Sequence, residues 1–206
     1  YTPEAVCSGL QTKILGRHVS CLDTVDSTNE EAKRRAQAGA PSGSIFVAET
    51  QTGGKGRLGR SWTSPPKTGL WFSILLREGL FPSQVTTITL LAGLAVCTAI
   101  RALTGLDARI KWPNDVVIGT KKVCGILTEM AAEIDRIDYI VVGVGVNVNI
   151  PSFPEEIAVK ATSLQIESGS SLRRVPLLQE ILNQFESILL DYQSSGIEPL
   201  REQYKA

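Results

Sequence analysis

Residues 53–62, which read GGKGRLGRSW, constrain the fold of this chain more than any other segment. Four glycines alternate with three cations, Lys55, Arg57 and Arg60, and no acidic residue lies among them. Trp62 ends the run. Ordering glycine backbone is costly in conformational entropy, and the cations repel one another until an anion binds. The segment cannot form core packing, and it predicts a loop that closes over a polyanion such as a nucleoside triphosphate. A solvent-exposed basic hairpin is the alternative interpretation.

This cationic loop (residues 53–62) does not match the common nucleotide-binding motifs in its sequence context. Residues 54–59 fit the G-x-G-x-x-G spacing, but dinucleotide binding also needs a helix directly after the loop. The following residues read SWTSPP, which cannot start a helix promptly. Lys55 precedes glycine rather than serine or threonine, which excludes a P-loop, and the chain has neither the His-Arg-Asp nor the Asp-Phe-Gly motif of protein kinases. The loop therefore joins two strands.

The composition predicts a single globular domain in a reducing compartment. The chain has 206 residues, of which 43% are hydrophobic, and this is enough to bury one core. Lys plus Arg and Asp plus Glu number 21 each, so no overall basic field favours nucleic acid. Four widely spaced cysteines and one histidine argue against a zinc site or a disulfide framework, and each cysteine is expected to be a small buried residue. No apolar run approaches about 18 residues and no secretory signal is visible, so we expect a cytoplasmic protein without a membrane span.

Hydrophobic periodicity and turn residues predict an α+β domain. Strands are expected over residues 18–25, 44–50, 69–77, 123–130 and 139–150, with two shorter strands ending at Lys111 and Ile118. Helices are expected from Thr2, over 28–38, from Pro82 to about Gly105, along the apolar stripe 177–189, and over 199–204. Ser27 and Glu30 have the spacing of a capping box for the second helix. Because strands outnumber helices and hairpins are frequent, we predict a mixed β-sheet backed by helices.

A first polar segment, residues 111–115, places a lysine, an amide and a carboxylate at a turn between strands. An Asx-type turn after Pro113 explains Asn114 and Asp115 about as well as a ligand role does. In the functional interpretation, Asn114 contacts a nucleotide and Asp115 helps to hold Mg²⁺. This ion takes one or two protein carboxylates and fills its other positions with phosphate and water.

Two further segments indicate a ligand lying across the sheet. Lys122 stands near Gly125 in an apolar strand, where glycine is unfavourable unless a ligand or another backbone approaches closely. A lysine at a hairpin end is otherwise simply solvated. Residues 143–149 read GVGVNVN, so by the period of two the glycines and asparagines share one face and the valines the other. A polar ligand on a glycine floor explains this pattern.

Taken together and in this order, these segments resemble the catalytic domain of the biotin protein ligases. The resemblance covers roughly residues 20–205, and its most specific part is the pairing of the cationic loop with residues 111–115. It runs through DSTN (26–29), ETQ (49–51), the cationic loop, KWPND (111–115), KVCGILTE (122–129) and GVGVNVN (143–149). It implies a fold akin to the class II aminoacyl-tRNA synthetases. It also implies that biotin and Mg-ATP form biotinyl-5′-adenylate and pyrophosphate, and that a lysine of a biotin carboxyl carrier protein then accepts the biotinyl group.

The resemblance also implies roles for individual residues. The implied catalytic residues are Arg57, Arg60 and Lys122. Biotin's carboxylate is ionised at neutral pH, so the first step needs charge neutralisation at the α-phosphate rather than a general base. The residues implied in biotin binding are Ser27, Thr28, Asn29, Gln51, Gly54, Lys55, Gly56, Arg57, Lys122 and Gly125. The residues implied in ATP binding are Arg57, Arg60, Trp62, Lys111, Asn114, Asp115 and Asn147, with Asp115 also as the Mg²⁺ ligand.

The chain departs from the family pattern in two respects. Lys55 stands where the family loop usually has an arginine, and lysine keeps the charge but lacks the planar fork, so weaker adenylate retention is expected. We expect residues 1–206 to be a single catalytic domain, without the amino-terminal winged helix or the carboxy-terminal SH3-like β-barrel of many relatives. We therefore expect reduced activity and no DNA binding by this chain. Family members often form homodimers through a sheet edge, but the sequence does not identify such an edge here.

Two other functions stay open at this point. A lipoate or octanoate ligase or transferase would share the fold and the acyl-lysine product, but its Arg-Arg-x-Ser-Gly-Gly-Gly type of segment is absent. A non-catalytic biotin- or nucleotide-binding module, such as a corepressor-type sensor, could dispense with Lys122 and Asp115 beside the cationic loop. Pyrophosphate release on adding biotin separates an enzyme from a binder, and replacing biotin by lipoate separates the two ligases.

Overall fold

The computed structural model describes residues 1–77, 84–133 and 136–198, and its strands form one seven-stranded sheet. The strands are β1 (Val19–Val25), β2 (Ile45–Gln51), β3 (Gly69–Leu76), β4 (Ala108–Lys111), β5 (Asp115–Ile118), β6 (Lys121–Glu133) and β7 (Arg136–Asn147). The helices are α1 (Pro3–Cys7), α2 (Thr28–Gln37), α3 (Val85–Thr104), α4 (Glu155–Ala158), α5 (Leu164–Ser168) and α6 (Arg174–Ser195).

The sheet is mixed, as the sequence predicts, and its strand order is β1-β2-β3-β7-β6-β5-β4. Strands β1 and β2 pair in parallel, whereas the other neighbouring pairs are antiparallel. A parallel pair needs a crossover connection, which α2 provides between β1 and β2. Strands β4 to β7 follow one another as antiparallel neighbours. This topology places the start of α2 directly after β1, at one face of the sheet.

The two faces of the sheet bury different cores, because side chains alternate along each strand. One face packs against α3 and α6, and its large core includes the even-numbered residues of β7, such as Val142 and Val144. A smaller cluster lies under α2 on the opposite face and consists of Ala32, Ala36, Phe46, Leu75, Tyr139 and Val141. Beyond this cluster the odd-numbered positions of β7 are Gly143 and Gly145. The second face of the sheet is therefore filled at one end and open to a ligand at the other.

The start of α2 differs in detail from the prediction. Ser27 is the residue before the helix, but the capping box is not formed, because its side chain makes no capping hydrogen bond within the described residues. The Glu30 carboxylate instead contacts the ammonium groups of Lys33 and Lys55. Charge-assisted contacts with two cations are stronger than one hydrogen bond to a neutral backbone N–H. Ser27 is buried and faces the candidate site described below.

The other differences between the predicted and the observed elements concern short helices and the ends of strands and helices. Helices α4 and α5 were not expected, because five residues or fewer leave no helical periodicity to detect. Strand β7 ends at Asn147 rather than at residue 150. The predicted start of α3 at Pro82 and the predicted helix over 199–204 lie outside the described residues. Helix α3 ends as predicted at Gly105, whose φ of 70° suits a glycine.

Helix α3 is the one element within the described ranges that is long and apolar enough to cross a membrane. This corrects the expectation that no segment approaches such a length: the threonines and the glycine within the helix break the apolar run but leave its average apolar. Of its most apolar window, 56% is buried inside the protein. A core helix passes the same test of length and composition, so the finding is weak evidence for a membrane span.

The cysteines follow the prediction in two cases. Cys97 and Cys124 are buried in the large core, and burial raises the pKa of the Cys97 thiol to about 12 and that of Cys124 further still. Both are therefore inert apolar side chains at neutral pH. Cys7 is exposed and Cys21 is half-buried, so the expectation of burial is wrong for these two residues. All four thiols are free.

Candidate active site

A cleft of about 460 Å³, including the open space at its mouth, lies on the second face of the sheet beside the start of α2. Its walls come from α2, from β2 and β6, and from the cationic loop, and its floor comes from β7. The lining residues are Ser27, Thr28, Asn29, Gln51, Lys55, Gly56, Arg57, Trp62, Asn114, Lys122, Gly125, Ile126, Leu127, Gly143, Val144 and Gly145. The structure thus brings together predicted site residues from five separate segments of the sequence.

The cationic loop folds as a hairpin over this cleft. The Trp62 N–H donates to the Gly54 carbonyl at 2.8 Å, and the Gly56 N–H donates to the Arg60 carbonyl at 2.7 Å. Gly54 is required for this fold, because a Cβ there would lie 2.4 Å from the Trp62 carbonyl oxygen. At the tip, Leu58 has a φ of 58° and is 88% exposed. The hairpin spaces the cations of the loop without an acidic residue inside it.

Two side chains attach this hairpin to opposite sides of the cleft. The Lys55 ammonium lies 2.6 Å from Oε1 of Glu30, in the first turn of α2. The Arg57 guanidinium donates to Oδ1 of Asn114 at 3.1 Å, in the turn between β4 and β5. Asn114 is itself held by a hydrogen bond from its amide nitrogen to the Ile126 carbonyl at 3.0 Å. The loop therefore bridges the cleft from α2 to β5.

The floor of the cleft is made of glycines, as the sequence predicts. A Cβ on Gly143 would lie 2.1 Å from Oδ1 of Asn29, and one on Gly145 would lie 2.8 Å from Nε1 of Trp62. A Cβ on Gly125 would lie 2.8 Å from Cζ3 of the same indole. The side chains of Asn29 and Trp62 thus lie directly on the floor. The three glycines are required by protein contacts as well as by any ligand.

The indole of Trp62 forms an aromatic wall of the cleft. It meets Trp71 edge to face, with ring centroids 6.2 Å apart, and the Lys122 ammonium lies 5.1 Å from the Trp62 ring centroid. A cation at this distance from an indole face is attracted by the ring quadrupole. The Trp62 indole nitrogen is buried and finds no hydrogen-bond partner among the described residues. It lies against the floor at Gly145, where a Cβ would come within 2.8 Å of it.

Lys122 is held at the cleft by a carboxylate. Its ammonium lies 2.7 Å from Oδ1 of Asp115, and both side chains are about one-third exposed or less. The two atoms are close enough for an ion pair. They do not form a hydrogen bond, because Oδ1 of Asp115 is buried and has no hydrogen-bond partner among the described residues. The pair fixes a positive charge beside Trp62 and above Gly125. Lys122 is therefore placed where a ligand's anionic group would be neutralised.

This geometry does not support Asp115 as a metal ligand. Its carboxylate faces an ammonium group, which repels a divalent cation, so the Mg²⁺ role that the resemblance implies for Asp115 stays a prediction. Within residues 1–77, 84–133 and 136–198, no group of three or more His, Cys, Asp or Glu side chains could hold a metal ion. Asp115 instead positions Lys122.

A continuous polar network supports the wall beside α2. Gln51 accepts from the backbone N–H and hydroxyl of Thr28 at 2.9 and 3.2 Å, and its amide nitrogen donates to Ser64 at 2.8 Å. The Ser73 hydroxyl lies 2.8 Å from that of Thr28 and donates to Oδ1 of Asn29 at 2.6 Å. Such a network holds each polar group in one orientation before a ligand arrives.

Asn29 is committed mainly to this network rather than to a ligand. Its amide nitrogen donates to the Leu127 carbonyl at 3.1 Å and to Oε2 of Glu129 at 2.7 Å, while its oxygen accepts from Ser73. Both N–H donors are therefore used within the protein. Asn29 therefore has no free N–H donor for the contact with biotin that the resemblance implies.

The sequence analysis missed two residues of this network, Ser73 and Glu129. The signal for Ser73 is that it is the sole polar side chain in the apolar strand β3.

Besides Asp115, four residues of the predicted site lie outside the cleft lining. Arg60 and Lys111 are exposed, Lys111 at the end of β4 opposite Asp115. Asn147 is buried and donates its amide to the Thr162 carbonyl at 3.0 Å, which ties β7 to the segment before α5. The fourth is Gly54, whose role in the hairpin is given above. The side-chain amide of Asn147 is therefore engaged within the protein, while the roles that the resemblance implies for Arg60 and Lys111 stay predictions.

The fold and the cleft together define a domain with a glycine floor beneath a cationic loop. A family model for the biotin/lipoate A/B protein ligase family matches residues 21–147. The bifunctional ligase/repressor BirA of Bacillus spizizenii is 42% identical over 195 residues, which cover 94% of this chain and 60% of that protein. The biotin–[acetyl-CoA-carboxylase] ligase of Mycobacterium tuberculosis is 31% identical, with 87% of this chain and 67% of that protein covered.

Among solved structures, the biotin protein ligase of Aquifex aeolicus in complex with biotin and ATP is similar. It superposes with a TM-score of 0.82 at 34% identity, covering 91% of this chain and 77% of that one. The chain belongs to the biotin/lipoate A/B protein ligase family. The resemblance seen in the sequence and the predicted fold class are thereby confirmed. The chain spans about 60% of the length of the Bacillus BirA proteins that it matches.

Proposed function

We propose that this chain activates biotin with ATP and transfers the biotinyl group to a protein lysine. The observation that carries the proposal is the convergence of Lys55, Arg57 and Lys122 above a glycine floor in one cleft. Cations placed over a floor without side chains suit a reaction that brings two anions together. The similarity to a ligase structure that contains biotin and ATP supports the same assignment.

The first step needs positioning and charge neutralisation. A carboxylate oxygen of biotin attacks the α-phosphorus of ATP, the bond between the α- and β-phosphates breaks, and pyrophosphate leaves with the bonding electrons. Biotin's carboxyl group is ionised at neutral pH, so no base is required. Lys122 and Arg57 stabilise the negative charge that accumulates on the α-phosphate oxygens. Mg²⁺ enters as the Mg-ATP substrate complex, since this ion takes most of its ligands from substrate phosphates and water.

The second step transfers the acyl group to a lysine amine. The amine nitrogen attacks the carbonyl carbon of the mixed anhydride, AMP leaves, and the nitrogen loses a proton to solvent, which gives an amide. The cationic loop, attached at Glu30 and Asn114, excludes water from the anhydride in the meantime. The acceptor proposed is a biotin carboxyl carrier protein, in keeping with the name of the mycobacterial relative.

The test is incubation of the purified chain with biotin and Mg-ATP, followed by detection of biotinyl-adenylate and pyrophosphate. Lipoate replaces biotin in the control. Adenylate formed with biotin and not with lipoate supports the proposal. Adenylate with lipoate instead indicates a lipoate ligase, and biotin binding without pyrophosphate indicates a binding module. No response to biotin overturns the proposal.

A further inference from the structure

Glu30 is the acidic residue that meets the cationic loop. Its Oε1 lies 2.6 Å from the Lys55 ammonium and 2.7 Å from that of Lys33. Two cations thus share one carboxylate oxygen. Glu30 follows directly after the residues of α2 that line the cleft, but it does not line the cleft itself. It therefore contacts the loop and not the groups that react in the steps described above.

The carboxylate of Glu30 is connected to the rest of the cleft wall. Lys33 also contacts Oε1 of Glu129 at 3.1 Å, and Oε2 of Glu129 accepts from the Asn29 amide at 2.7 Å. A chain of charged contacts therefore runs from Lys55 in the loop to Asn29 on the glycine floor. The hydrogen bonds from Lys33 and Lys55 lower the pKa of Glu30, so its carboxylate is charged at neutral pH.

We propose that Glu30 is a positioning residue that holds the cationic loop over the cleft before the ligand arrives, by its ion pair with Lys55. The proposal rests on the proposed function, since it concerns the site for biotin. A loop already held in place loses less conformational entropy when biotin binds. Losing the pair raises the KM for biotin and leaves kcat unchanged, because Glu30 does not contact the reacting atoms. The rise is about two- to fivefold, the range given by exposed ion pairs.

Limited proteolysis tests the loop position without any ligand. Trypsin cuts after Lys55, Arg57 and Arg60 when the loop opens, and its rate follows the population of the open form. The cuts after the two arginines are compared, because these sites are present in every variant. Glu30→Gln removes the charge and keeps the shape, so cutting at these two positions is expected to become about two- to fivefold faster. The matched control is Glu31→Gln on the same helix turn. Glu31 pairs with Arg34 and Arg35 rather than with the loop, so its loss leaves the cutting rate unchanged.

A double-mutant cycle assigns the effect to the pair. Lys55→Gln alone is expected to accelerate cutting after Arg57 and Arg60, and adding Glu30→Gln to it is expected to have little further effect. If the effects of the two substitutions on the cutting rate are additive in the double variant, the proposal is overturned. Equal acceleration by Glu31→Gln overturns it as well. If Glu30→Gln lowers the melting temperature of the whole domain, the cutting rate of the Lys55→Gln variant alone tests the proposal. Lys55 lies in the loop, so its replacement leaves α2 intact.

Kinetics with biotin separate this proposal from the proposed function. A higher KM for biotin at unchanged kcat in Glu30→Gln supports the positioning role, whereas an unchanged KM contradicts it. If the unsubstituted chain releases no pyrophosphate with biotin, the proposed function fails. The proteolysis cycle would then still show whether Glu30 holds the loop.

Discussion

The guanidinium of Arg57 donates a hydrogen bond to Oδ1 of Asn114 at 3.1 Å and so joins the cationic loop to the turn between β4 and β5. This contact places Arg57 in the lining of the cleft, while Arg60, three residues later, stays outside it. The two arginines carry the same charge in the same loop. Because Arg57 lines the cleft and Arg60 does not, replacing the two residues should affect the reaction differently.

Replacing Arg57 tests this difference. Arg57→Ala is expected to lower kcat/KM for adenylate formation about 100-fold, the usual cost of removing one preorganised donor from a charged transition state. Pyrophosphate release with biotin and Mg-ATP is the measurement. The matched control is Arg60→Ala, for which we expect less than a fivefold loss. Equal losses in the two variants would contradict the placement of Arg57.

Lys122 is expected to be required for the chemical step. Lys122→Met removes the charge beside Trp62 and keeps most of the volume, so pyrophosphate release should fall about 100- to 1000-fold. Binding of biotin alone, measured by calorimetry, should change much less. Lys121→Met is the control, because Lys121 lies next to Lys122 but outside the cleft lining. A Lys122→Met variant with normal turnover would remove Lys122 from the mechanism.

A side chain on the floor of the cleft should displace the groups that lie on it. In Gly143→Ala the new Cβ would meet Oδ1 of Asn29, and in Gly145→Ala it would meet the Trp62 indole. Each substitution is expected to destabilise the fold by about 1–3 kcal/mol and to weaken biotin binding. Urea unfolding and calorimetry measure the two effects. Gly93→Ala is the control, since its Cβ would lie 3.6 Å from the nearest atom, an ordinary contact. Full stability and binding in Gly143→Ala would contradict the geometry.

The ion pair of Glu49 with Arg174 should make stability depend on pH. Burial is the largest single influence and would raise the pKa of Glu49. The hydrogen bonds from Arg174 at 2.8 and 3.1 Å, the charge of Arg174 and the amino-terminal ammonium together outweigh it and hold that pKa below its usual range. A carboxyl group with a lowered pKa in the folded state contributes stability above its unfolded pKa, and loses it as the pH falls through the folded value. The free energy of unfolding should therefore fall with decreasing pH below about 4.5. Arg174→Met should flatten this dependence and cost about 1–3 kcal/mol at pH 7. An unchanged pH profile in that variant would contradict the role of the pair.

Sequence patterns predict the cationic loop, its flanking strands and the glycine floor, because glycine, charge and the period of two are local signals. The contacts on the floor are not local. Asn29 is bound by Ser73, 44 residues away, and by Glu129, 100 residues away, and no pattern in the sequence links them. The ion pair of Asp115 with Lys122 is not local either, because the pairing of β5 with β6 brings the two residues together. Pairing of this kind decides which charges meet.

The three tryptophans lie in three different surroundings. Trp71 is fully buried, Trp112 is 73% exposed, and Trp62 forms a wall of the cleft against Lys122. Ligand entry alters the surroundings of Trp62 directly, while Trp112 stays in water. Trp62 therefore makes the protein's own fluorescence a test of binding. We expect the part of the emission that changes on titration with biotin or ATP to come from Trp62, and Trp62→Phe to remove that change while leaving the emission of Trp112 in place.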